Sequence, residues 1–90
     1  MNRAERIREA IESALEPDRL DIEDESHRHA GHAGARPGGE THYNVTVVSS
    51  GFAEMSRIDR QRRVYALLEA EFEGGLHALT VRALTPAEDV

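Results

Sequence analysis

Ninety residues, 39% of them hydrophobic and 31% charged, describe one small folded domain. The chain is too apolar for a disordered tail, too short for two cores, and has no apolar run long enough to span a bilayer. Eleven basic against seventeen acidic residues leave a net charge of −6, which argues against a surface built throughout for nucleic acid.

All eleven basic residues are arginine, so neither Schiff-base nor P-loop lysine chemistry is available. With no cysteine, disulfides, thiolate nucleophiles and thiolate metal ligands are also excluded. Histidine is the only nitrogen ligand the chain can offer a metal. The first fifteen residues carry Glu5, Glu9 and Glu12 and lack an apolar h-region, so they read as neither secretory signal nor transit peptide, and the expected location is cytoplasmic.

Asn2 with Glu5 three residues on predicts a helix start, and Ala4, Ile7, Ile11, Ala14 and Leu15 give that helix one apolar stripe before Pro17 stops it. Leu20 and Ile22 alternate with Asp21 and Glu23, the period-2 pattern of a short half-buried strand. From Ser26 to about Glu40 the chain is rich in glycine and carries His27, His29 and His32 with no period of either kind, which predicts a mobile loop far longer than a hairpin needs. Tyr43, Val45 and Val47 alternate with Asn44 and Thr46 in a second strand, expected antiparallel to the first.

Gly51 and Phe52 predict a turn. Ser56 and Asp59 have capping-box spacing ahead of Ile58, Val64, Tyr65, Leu68 and Phe72, which predicts one long helix ended by Gly74 and Gly75. Leu76 to Leu84 reads as a third strand with His77, Leu79, Val81 and Ala83 on one face. Thr85, Pro86 and Glu88 resemble a helix cap and predict a frayed turn. The expectation is therefore an α+β fold as a single domain, with a three-stranded mixed sheet and helices packed on one face. The third strand returns through a crossover helix and so lies parallel to the second.

The chain also resembles the BolA-like proteins. The likeness rests on Leu15-Glu16-Pro17 with Leu20, on Asp24 to His32 (Asp-Glu-Ser-His-Arg-His-Ala-Gly-His), and on Gly39-Glu40-Thr41-His42-Tyr43. It continues through Val48-Ser49-Ser50-Gly51-Phe52, Ser56-Arg57-Ile58, Arg60-Gln61-Arg62, Val64-Tyr65, Leu76-His77-Ala78-Leu79 and Thr85-Pro86-Ala87-Glu88, covering nearly the whole chain. The resemblance implies a KH-like fold (type II, αββααβ), the element order read above. It implies a non-enzymatic partner of a monothiol glutaredoxin, the two proteins holding a [2Fe–2S] cluster between them for iron–sulfur trafficking or iron sensing. In that arrangement the glutaredoxin cysteine and glutathione supply sulfur and the BolA-like chain supplies nitrogen. His77 matches one ligand, and His29 best matches the second, which lies in the loop between the first two strands, with His27 and His32 as alternatives. Many members carry a histidine in the long helix where this chain has Gln61. Some bacterial members are described as transcription regulators of stress response and cell morphology, so DNA is the alternative partner. The chain alone is expected to be a monomer or weak homodimer, with no membrane attachment.

The residues are consistent with such chemistry. A cysteine-free chain can give a [2Fe–2S] cluster only imidazoles, as when two histidines replace two cysteines on one iron, so the remaining ligands come from a partner. Two imidazoles make the cluster less negative than four thiolates do and make its binding sensitive to protonation. The plainer readings are a half-buried His77 bonded to backbone, adventitious metal at His27, His29 and His32, and a structural or surface His42. Arg57, Arg60, Arg62 and Arg63 form the one dense basic cluster, a candidate phosphate contact or a solvated helix face. Gly51-Phe52-Ala53-Glu54 is not the Gly-x-x-Gly clamp of nucleic-acid-binding KH domains. No nucleophile and base pair is evident.

Overall fold

The computed structural model describes residues 2–25 and 42–89. Helix α1 spans Arg3–Leu15, strand β1 Arg19–Asp24 and strand β2 His42–Val48. A 3-10 turn at Ser50–Phe52 leads to α2 (Arg57–Leu67), α3 (Glu69–Glu73), β3 (Ala78–Leu84) and a last 3-10 turn, Pro86–Glu88. The sheet order is β1-β2-β3, with β1 antiparallel and β3 parallel to β2. This is the mixed α+β arrangement expected from the element order.

Each element follows from local chemistry. The Asn2 side chain accepts the Glu5 amide at 2.9 Å and caps α1, whose Ile7, Ile11 and Leu15 are buried. Glu16 takes a left-handed conformation (φ 44°, ψ 59°) at the helix end, and Pro17 blocks continuation. Ser56 caps α2 through the Asp59 amide at 3.1 Å. Tyr43, Val45 and Val47 of β2 and Leu79 and Val81 of β3 point into the core, where they meet Ile7, Ile11, Phe52, Val64 and Leu68. The alternate residues of both strands face away from the core, so one face of the sheet carries the helices and, among the described residues, the other carries none.

Buried polar groups close the far end of the sheet, where β2 and β3 finish. Ser49 is fully buried; its hydroxyl donates to the Leu15 carbonyl at 2.7 Å and accepts from the Gly51 amide at 3.0 Å, tying the end of α1 to the end of β2. The outer edge of β3 is covered by side chains from α2. Tyr65 Oη donates to the Leu79 carbonyl at 2.6 Å, Gln61 Nε2 to Val81 at 2.6 Å, and Arg60 Nη1 to Ala83 at 3.2 Å. Three successive outward carbonyls of this edge strand are thus occupied.

Three expectations change. The long helix is two, because Leu68, fully buried, leaves helical geometry (φ −108°, ψ 13°) between α2 and α3; no glycine or proline marks the break. β3 begins at Ala78 rather than Leu76. Gly75 adopts φ 119°, and the Leu76 amide reaches back to the Glu71 carbonyl at 2.9 Å, so Leu76 fills the core position while His77 emerges exposed instead of sharing the face of Leu79. The C-terminal turn is pinned rather than frayed. Glu88 accepts the Thr85 amide at 2.7 Å and pairs with the buried Arg60 at 2.6 Å. The loop predicted over 26–40 lies outside the described residues.

Candidate metal-binding site

β2 and β3 run parallel, so both strands begin at the same end of the sheet. His42 opens β2 and pairs in register with Ala78, the residue after His77. Two histidines thirty-five positions apart are thereby brought together, their ring centres 6.0 Å apart and their planes inclined by 53°. His77 is exposed and His42 half-buried. Sequence reasoning assigned His42 a structural or surface role; its nearness to His77 follows from the parallel register, which pattern alone does not disclose.

The first-strand hairpin ends at the same place. The Glu25 amide donates to the His42 carbonyl at 2.8 Å, so the segment carrying His27, His29 and His32 leaves and re-enters the fold beside this pair. Those three histidines lie outside the described residues. His29 is four residues from Glu25, a tether of at most about 14 Å. The donor set fits a site that supplies nitrogen and takes sulfur from elsewhere: imidazoles at an exposed sheet end in a chain without cysteine. Among the described residues, no three or more histidine, aspartate or glutamate side chains converge on one point.

The helix layer behind the pair is anchored by arginine. Arg3 is buried and gives Nε to Glu71 at 3.1 Å and Nη2 to the Gly74 carbonyl at 2.8 Å, while Arg6 reaches the same carboxylate at 3.0 Å. The Arg6 hydrogen bond, aided by Arg3 and opposed by burial, holds the Glu71 carboxyl below the usual range. These contacts fix the turn from which Leu76 and His77 emerge.

The four arginines of α2 do not form one surface. Arg60 is buried, with its guanidinium on Glu88 and on the carbonyls of Met55 (3.1 Å) and Ala83 (3.2 Å). Arg57, Arg62 and Arg63 are exposed, and Arg62 meets Asp59 only at 3.9 Å. The Arg60 hydrogen bonds, supported by the Thr85 amide, lower the Glu88 carboxyl to about 2. Gln61, at the position where the resemblance places a histidine in many members, has its amide on Val81 of the β3 edge.

Known proteins give this geometry its context. The family model described as BolA-like protein matches residues 11–88. Protein BOLA1, chloroplastic, of Arabidopsis thaliana is 52% identical over 89 residues, spanning 97% of this chain and 56% of that protein. SufE-like protein 1, chloroplastic/mitochondrial, of the same plant is 47% identical over 91 residues, 97% of this chain but 24% of its own. The chain thus spans about half or less of the length of these two relatives. The solved structure of BolA1 from Arabidopsis thaliana superposes with a TM-score of 0.89 at 49% identity, covering 100% of this chain and 98% of that one. The BolA domain of SufE1 from Arabidopsis thaliana gives 0.87 at 46%, covering 98% and 96%.

The cytoplasmic expectation does not survive these names. Relatives at 52% and 47% identity are named chloroplastic and chloroplastic/mitochondrial rather than cytoplasmic. The acidic first helix belongs to the folded domain, with Ile7 and Ile11 in its core, and so carries no information about targeting. With a family match over residues 11–88 and both structures superposing over nearly all of it, the chain belongs to the BolA-like family.

Proposed function

We propose that this protein is a non-enzymatic partner of a monothiol glutaredoxin and helps hold a bridging [2Fe–2S] cluster for iron–sulfur trafficking or iron sensing. The observation that carries the reading is His77, an exposed imidazole set by a rigid turn at the end of the sheet where the histidine-bearing segment departs. His77 supplies one nitrogen ligand and His29 the other, with His27 and His32 as alternatives. The partner's cysteine and glutathione supply the thiolates this chain lacks. Membership in the BolA-like family and a relative in which a BolA domain is part of a longer SufE-like protein are consistent with service to other proteins.

The test is reconstitution of this chain with a monothiol glutaredoxin, iron, sulfide and glutathione, followed by visible circular dichroism. Wild type gives a mixed-ligand spectrum and His77→Ala gives that of the glutaredoxin alone; an unchanged spectrum in the variant defeats the reading. A second reading, a DNA-binding regulator, draws on exposed Arg57, Arg62 and Arg63 but not on Arg60, whose guanidinium is engaged inside the protein. It requires duplex binding that weakens steeply with salt, a slope that Arg63→Ala reduces by about one.

A further inference from the structure

We propose that His42 and His77 together form a bidentate site for a borderline divalent transition-metal ion of the zinc or nickel class, loaded by this chain without any partner. The parallel register sets both residues at one end of the sheet, with ring centres 6.0 Å apart. A zinc–nitrogen bond of about 2.0–2.1 Å puts the metal roughly 3.2 Å from each ring centre, so two imidazoles on one ion have centres roughly 5 Å apart at a tetrahedral angle and roughly 6.4 Å apart when opposed. The observed spacing lies between those limits, and a movement of under about 1 Å by the exposed His77 side chain closes it to the tetrahedral value.

The ligand chemistry selects the ion. Imidazole suits zinc, nickel, copper and iron, whereas magnesium and calcium require oxygen, and neither member of the pair supplies it. Two protein ligands leave at least two coordination positions to water, which describes an exchangeable surface site rather than a structural one. Holding one backbone at the start of β2 and the other in the residue that immediately precedes β3 removes much of the ordering cost of bringing two ligands to one ion. The proposed ligand pair includes none of His27, His29 and His32 and makes no use of glutaredoxin or sulfide.

Calorimetric titration of the isolated full-length chain with zinc chloride, in a buffer that does not chelate, tests this together with ring-nitrogen NMR of the histidines. Wild type binds one equivalent that shifts both the His42 and His77 rings. His42→Ala and His77→Ala each weaken that equivalent at least tenfold, a lower bound set by the ten- to hundredfold typical of merely outer-shell changes. The double variant is little weaker than either single one, because a chelate fails with either arm. The triple variant His27→Ala, His29→Ala, His32→Ala keeps the site. Loss of binding in the triple variant, retention in either single variant, or no zinc equivalent in wild type overturns the proposal. Circular dichroism confirms that each variant is folded, and His42→Gln with His77→Gln repeats the measurement should an alanine variant fail to fold. Because glutaredoxin is absent throughout, failure here leaves the cluster reading to its own test.

Discussion

The two ends of the sheet are built on opposite principles. Where β2 and β3 finish, polar side chains turn inward onto backbone: Ser49 on Leu15 and Gly51, Arg60 on Met55, Ala83 and Glu88. Where the same strands begin, two imidazoles stand side by side at the surface. A small domain has little stability to spare. At the open end the buried Arg3 holds the turn at Gly74 from behind, so the exposed His77 beyond it carries no hydrogen bond of that anchor and its removal costs the fold little. The lesson is that the closed end keeps the register that brings the open end together.

Breaking the closed end is expected to have the largest effect. Arg60→Ala strands two backbone carbonyls and releases the C-terminal turn, a loss of about 2–4 kcal/mol measured by urea denaturation. Ser49→Ala leaves the buried Leu15 carbonyl and the part-buried Gly51 amide without their partner and costs about 1–3 kcal/mol in the same assay. Should both variants melt like wild type, the contrast between the ends is wrong.

Acid sharpens the comparison. Glu88 is held near 2 against an ordinary 4.5, so its contribution is fully present above about 4.5 and disappears as pH falls through about 2. The melting-temperature gap between wild type and Glu88→Gln is therefore widest above pH 5 and closes toward pH 2. A gap that widens on acidification has the wrong sign.

The smallest effects belong elsewhere. Glu16→Gly relieves the left-handed residue and raises stability by about 0.5 kcal/mol, because relief of the side-chain clash slightly exceeds the added chain entropy. His77→Ala, at the open end, changes stability by less than about 0.5 kcal/mol. A larger loss there would mean that the ligand end also holds the fold.

Much of the architecture was legible because local signals agreed. Asn2 and Ser56 cap as their spacing predicted, Pro17 stops the first helix, and alternation in Tyr43, Val45 and Val47 marks a strand buried on one side. What escaped was tertiary in origin. Leu68 breaks its helix with no local marker, and Gly75 shifts the start of β3 so that Leu76 rather than His77 enters the core. Arg60 looked like its neighbours in a basic run, yet its helical position turns it inward toward Glu88, twenty-eight residues on. His77 was marked by residues that resemble a family. The companionship of His42 was not, since element order gives the direction of the third strand but not the register that sets His42 opposite Ala78.

The covered edge of β3 bears on how this molecule meets others. With Tyr65, Gln61 and Arg60 occupying its outward carbonyls, an incoming peptide cannot add itself there as a fourth strand without first evicting three side chains. Polymerisation through that border is obstructed for the same reason. A protein companion that approaches this border must therefore dock by shape and charge, and recognition there is decided by side chains rather than by shared backbone hydrogen bonding.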